Sequence, residues 1–131
     1  MNPLVNQAMK LHLTQTEDKN LITAFSDDAI KIHHQEYHHS LIVSPNTILI
    51  EPTLSDLASL NEGIFKKILE HQPELVLLGT GKQHRFLHPR NHALLTEKSI
   101  PLECMSTAAA CRTYNILMSE DRSVMAILLL G

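Results

Sequence analysis

The chain has 131 residues, a formal net charge of −3, 44% hydrophobic residues and 19% charged ones. That is enough for one domain with a real core, built without staples or metal. It speaks against general nucleic-acid binding, which needs a basic patch, and no apolar run approaches the ~20 residues of a membrane span.

Residues 1–20 are polar and mixed, with an alternation at Leu11 and Leu13, and read as an arm or a weak first strand. Met1 to Lys10 has neither a basic head nor a long apolar stretch, so no signal peptide is expected. A single domain is expected over 21–131. Leu21–Phe25 has β character, Ser26-Asp27-Asp28 signals a turn, and Ala29–Ile32 alternates. After a turn within His33–Glu36, strand resumes over Tyr37–Val43. Ser44-Pro45-Asn46 turns again into a strand at Thr47–Ile50. These pieces predict an antiparallel β region in the first fifty residues.

The period then changes. Ile64, Phe65, Ile68 and Leu69 form the apolar stripe of a helix, with Asn61 as N-cap and Pro73 barring continuation. Leu75–Leu78, four apolar residues without polar alternation, predicts a strand buried on both faces. Gly79 and Gly81 permit positive φ or close backbone approach at its end. Asn91–Lys98 is a second helical segment and Ile100–Met105 a short strand limited by Pro101. Ser106 or Thr107 caps a third helix running to about Met118, its inner face Ala108, Cys111, Tyr114 and Leu117 or Met118. Val124–Leu130 is a last buried strand. The alternation of strand and helix after residue 60 is the mark of an α/β layer, and a helix between strands 75–78 and 101–105 makes them parallel neighbours.

Three blocks carry a family resemblance. Glu74-Leu-Val-Leu-Leu-Gly-Thr-Gly81, then Arg85-Phe86-Leu87 with Pro89, then Met105-Ser-Thr-Ala-Ala-Ala-Cys-Arg-Thr-Tyr-Asn115 resemble a family of small α/β domains of unknown function. That family was first defined by an archaeal structural-genomics protein and includes the mitochondrial respiratory complex I assembly factor number three. The similarity runs from about Leu21 to Leu130. It implies three layers: a mixed five-stranded sheet, helices on both its faces, and a small extra β layer from the N-terminal hairpin region. It implies no catalytic residues. The chain departs from the family pattern in three places. Its first 20 residues lack glycines that often precede the first hairpin, His33-His34 replaces an Asn-Gly type turn, and Ser106 replaces Asp, which removes a carboxylate from the polar end of the sheet.

That polar end is the candidate site, because ligands of open α/β sheets gather beyond the carboxyl ends of the strands. It brings together Gly79, Thr80, Gly81 and Arg85 after one strand and Ser106, Thr107 and Arg112 after the other, a set suited to an anionic or carbonyl-bearing ligand. The competing reading is a tight turn and a capped helix. The glycines fit neither a dinucleotide fingerprint, since position 84 is His84, nor a P-loop, since position 83 is Gln83. Nine histidines invite a metal, yet adjacent strand residues point to opposite faces, so His33, His34, His38 and His39 converge poorly. Pro89 interrupts the row His84, His88 and His92. No metal and no cofactor is expected. Cys104 and Cys111 form no CxxC pair and read as reduced, which suits a cytoplasmic location. No nucleophile elbow appears. The expectation is a binding or assembly protein with a protein partner and no nucleic-acid partner, self-association being left open. The alternative is a small-molecule binder or enzyme using the Thr80/Ser106 edge.

Overall fold

The computed structural model describes residues 18–130. The alternation at Leu11 and Leu13, like most of the N-terminal arm, lies outside them. Two sheets organise the rest. β1 (Ile22–Phe25), β2 (Ile30–Ile32) and β3 (Gln35–Tyr37) form an antiparallel sheet in that order. β4 (Leu41–Ser44), β5 (Thr47–Leu49), β6 (Leu75–Gly79), β7 (Leu102–Met105) and β8 (Val124–Leu128) form a five-stranded mixed sheet in the order β5-β4-β8-β6-β7. β6 runs parallel to both β7 and β8, while β4 is antiparallel to β5 and β8. The helices are α1 (Glu62–Leu69), α2 (Ala93–Glu97) and α3 (Thr107–Ser119). The mixed sheet, the extra β layer and the parallel β6–β7 pair are as the sequence predicts.

All residues of β6 and β8 are buried, which the unbroken apolar runs require of central strands. Their side chains alternate between two cores. Leu75 and Leu77 join Val124, Ala126 and Leu128, Tyr114 and Met118 of α3, and Ile22, Ile30 and Ile32 of the small sheet. Val76 and Leu78 join Met125, Ile127, Ile64, Phe65 and Ile68 of α1, and Leu95 of α2. The large sheet is thus the central layer. α1 and α2 cover one face; α3 and then the small sheet cover the other.

Several boundaries differ from the sequence reading. Tyr37–Val43 is not one strand. Tyr37 pairs with Ile30 in the small sheet, whereas Leu41 pairs with Leu128 in the large one, so the chain changes sheets over His38–Ser40. The turn expected within His33–Glu36 is the two-residue connection His33-His34, with His33 at a φ of 53°, and Gln35 and Glu36 already belong to β3, paired with Ile32 and Lys31. β7 begins only after Pro101, which lacks a donor, though its carbonyl still accepts from the Val76 N–H at 3.0 Å. The 91–98 helix is shorter, a 3₁₀ turn at Pro89–His92 leading into Ala93–Glu97. β8 ends at Leu128. On α3 the fully buried alanine is Ala110, and Ala108 is half-buried.

Candidate functional site

The carboxyl ends of β6 and β7 meet as expected, and Gly79 explains how closely. A Cβ on Gly79 would lie 2.8 Å from the Thr107 Cα and 3.1 Å from the Ala110 Cβ. The first turn of α3 therefore rests directly on the strand backbone, a contact only glycine permits there. Gly81 has a φ of 96°, turning the chain away from the sheet.

Thr107 locks this junction. It is 1% exposed, and its hydroxyl accepts from the Gly81 N–H at 2.8 Å and donates to the Leu129 carbonyl at 2.7 Å. Its own N–H donates to the Gly81 carbonyl at 2.8 Å. Ser106 is the N-cap, its Oγ accepting from the Ala109 N–H at 3.2 Å. Two donors of the helix's first turn are thereby satisfied within the chain. Thr80 works likewise on the loop that follows β6. Its Oγ1 accepts from the Arg85 N–H at 3.0 Å and faces the carbonyls of Gln83 at 2.6 Å and Met105 at 3.1 Å, to which its proton is donated.

Further along α3, Tyr114 and Asn115 hold the small sheet. The Tyr114 hydroxyl donates to the Asn20 carbonyl at 2.7 Å. The Asn115 amide donates to the Ile22 carbonyl at 2.7 Å and accepts the Ile22 N–H at 3.0 Å. Sequence reading placed Tyr114 on the inner face but missed both polar roles. The signal was present in Asn115 itself, a residue with a paired donor and acceptor following one buried aromatic.

The candidate residues divide between two surfaces. Thr80, Gly81 and Arg85 line a cleft of about 370 Å³ with Ser55, Asp56, Leu57, Ala58 and Leu129, on the α1/α2 side of the sheet. Arg112 instead borders a cleft of about 250 Å³ between α3 and β1, beside Cys111 and Asn115. Asp56, which the sequence reading did not single out, caps the 3₁₀ turn Leu57–Ser59 through a 3.0 Å bond from the Ser59 N–H. Phe86, next to Arg85, is 80% exposed.

The histidines of the first hairpin take separate partners. A ring nitrogen of His33 bonds the Lys19 carbonyl, His38 lies 3.4 Å from the Glu36 carboxylate, and His39 Nδ1 is 3.1 Å from the Ser40 carbonyl. Among the described residues no three His, Cys, Asp or Glu side chains converge as a metal site would require. Both cysteines are free thiols, and burial pushes Cys111 up to about 12, far from a thiolate at neutral pH.

The protein-family model described as "Protein of unknown function (DUF498/DUF598)" matches residues 22–129. The "13 kDa major membrane protein" of Francisella tularensis subsp. holarctica is 30% identical over 124 residues, covering 89% of this chain and 99% of that protein. The zebrafish (Danio rerio) NADH dehydrogenase [ubiquinone] 1 alpha subcomplex assembly factor 3 is 39% identical over 62 residues, which are 47% of this chain and 36% of that protein. Among solved structures, a Bordetella parapertussis protein superposes with a TM-score of 0.79 at 30% identity, covering 86% of this chain and 97% of that one. Among the described residues no helix is long and apolar enough to cross a membrane.

Proposed function

Because the chain belongs to the DUF498/DUF598 family, we propose that it acts by binding a protein partner, in the manner of an assembly factor, rather than by catalysis. The observation that carries this reading is the 39% identity with the zebrafish assembly factor 3 over 62 residues. The site geometry supports it. The hydroxyls of Thr80, Ser106 and Thr107 are engaged with backbone groups of the chain, and the Cys111 thiol is held neutral. That arrangement offers no activated nucleophile next to a base. The reading carries a cytoplasmic location with it, supported by two unpaired cysteines. The test is affinity purification of the tagged chain from its native cell, with mass spectrometry for proteins and small molecules. A stoichiometric protein partner is the expected result. Recovery of the chain alone with a small molecule bound would overturn it.

One observation favours a second reading. The 370 Å³ cleft gathers Thr80, Gly81 and Arg85, three of the residues expected at a ligand edge. A small anion or a carbonyl-bearing molecule there would take its charge complement from Arg85. A thermal-shift screen with inorganic phosphate and simple carboxylates, repeated on Arg85→Ala, tests this. A stabilisation of several degrees that vanishes in the variant is the outcome it requires.

A further inference from the structure

Surface charge is unevenly spread along the chain. From Leu75 to Thr96 there is no Asp or Glu, while the same stretch holds Lys82, Arg85 and Arg90 with His84, His88 and His92. On a chain of net charge −3 this stretch contributes positive charge only, and acids from other segments lie beside parts of it. Phe86 stands in it, 80% exposed, its ring centroid 4.5 Å from that of His84. The loop is anchored on both sides of Phe86. Thr80 Oγ1 binds Gln83 and Arg85 on one side, and Leu87, only 8% exposed, enters the core on the other. These anchors hold the ring in water next to Arg85.

The neighbouring acids decide which cation is free to bind. Lys82 lies 3.8 Å from Asp27. Arg90 shares a 250 Å³ cleft with Glu62 and Glu97. Arg85 shares its cleft with a single acid, Asp56, one of whose oxygens accepts from the Ser59 N–H. Among the described residues neither Arg85 nor Arg90 has an ion-pair partner, and Arg85 has the fewer acids in its cleft.

We propose that the Lys82–Phe86 tip and the adjoining Arg85 cleft form the docking surface for the protein partner, and that the partner presents an extended acidic segment. One carboxylate pairs with the Arg85 guanidinium, and a neighbouring apolar or aromatic side chain packs on Phe86. This rests on the protein-binding reading above. Arginine and aromatic residues are the types that dominate the energetics of protein interfaces. An anionic bilayer is the weaker fit, because it needs several clustered cations clear of acids, and Lys82 and Arg90 both have acids beside them.

The experiment places photoreactive benzoylphenylalanine at Phe86, and separately at the exposed residues Ile50 and Ile116, in the full chain expressed in its own cells. The expected result is a discrete protein adduct from position 86 alone, its cross-linked peptide holding Asp or Glu. Adding Arg85→Glu should lower that adduct at least tenfold, and changing the partner's acidic residue to Arg should restore it. Arg112→Glu, on the opposite side of the sheet, should leave it unchanged. Lipid adducts at position 86 would overturn the proposal in favour of a bilayer. Protein adducts only at Ile50 or Ile116 would overturn the surface and leave the protein-binding reading standing. An adduct indifferent to Arg85→Glu would overturn the acidic partner. No adduct at any of the three positions, with the chain purifying alone, would defeat both.

Discussion

Two adjoining stretches, Gly79–Gly81 and Lys82–Phe86, share a loop and use their chemistry in opposite directions. In the first, backbone and hydroxyl groups turn inward: Gly79 admits α3, Gly81 pairs twice with Thr107, and Thr80 closes the turn. In the second, side chains turn outward, all five residues being exposed. The contrast teaches that the most recognisable residues of such a loop can serve construction, while the less recognisable ones after it are the ones left facing solvent. A buried hydroxyl satisfied by two backbone groups is costly to lose, whereas an exposed aromatic contributes little to its own fold.

The contrast breaks first at Thr107. Thr107→Val keeps the volume and deletes a hydroxyl that serves two backbone groups, one buried and one part-buried, so urea unfolding should show a loss of about 2 kcal/mol. A loss under ~1 kcal/mol would mean that the junction is not what holds α3 to β6. Asn115→Leu removes both bonds to Ile22 and should cost about 2 kcal/mol, with faster amide exchange concentrated in β1–β3. Alkaline titration probes the same buried side. The Cys111 thiol is raised from 9.0 to about 12, and burial also raises Tyr114. The unfolded chain releases these protons first, so stability is full below about pH 9 and falls as pH rises through the window. The Cys111 thiol alone should contribute about 1.4 kcal/mol per unit there, and Cys111→Ala should flatten part of the slope. The smallest effect belongs to the outward stretch. Phe86→Ser and Arg85→Glu should each leave unfolding within about 0.5 kcal/mol of the parent chain. A larger loss would show that this tip, too, is structural.

The parts of the fold that could be read from sequence were those with a single physical cause. Leu75–Leu78 and Val124–Leu128 are apolar without alternation, and only a doubly covered strand accounts for that. The α1 stripe with Asn61 and Pro73 marks its own ends, and the Asn61 side chain does accept from the Ile64 N–H at 3.0 Å. What was not legible depended on distant partners. Nothing in Tyr37–Val43 says that Tyr37 and Leu41 belong to different sheets, because both halves carry β character and the choice is made by Ile30 and Leu128. The site was half legible. Thr80, Gly81 and Arg85 were expected together and do share a cleft, but Arg112 projects on the other side of the sheet. Its helix phase relative to Thr107 could be counted from sequence, whereas the face of the sheet that α3 covers could not.

The Asn115 clasp on Ile22 has a consequence for self-association. A terminal strand with open donors and acceptors invites a foreign strand to add to it. At Ile22 the side-chain amide of Asn115 offers one acceptor and one donor in the positions a neighbouring backbone would use, so that rung of the β1 margin is already occupied from within the molecule. A hydrophobic replacement at position 115 would reopen it beside the apolar Ile22, turning a quiet border of the small sheet into a place where two copies could zip together.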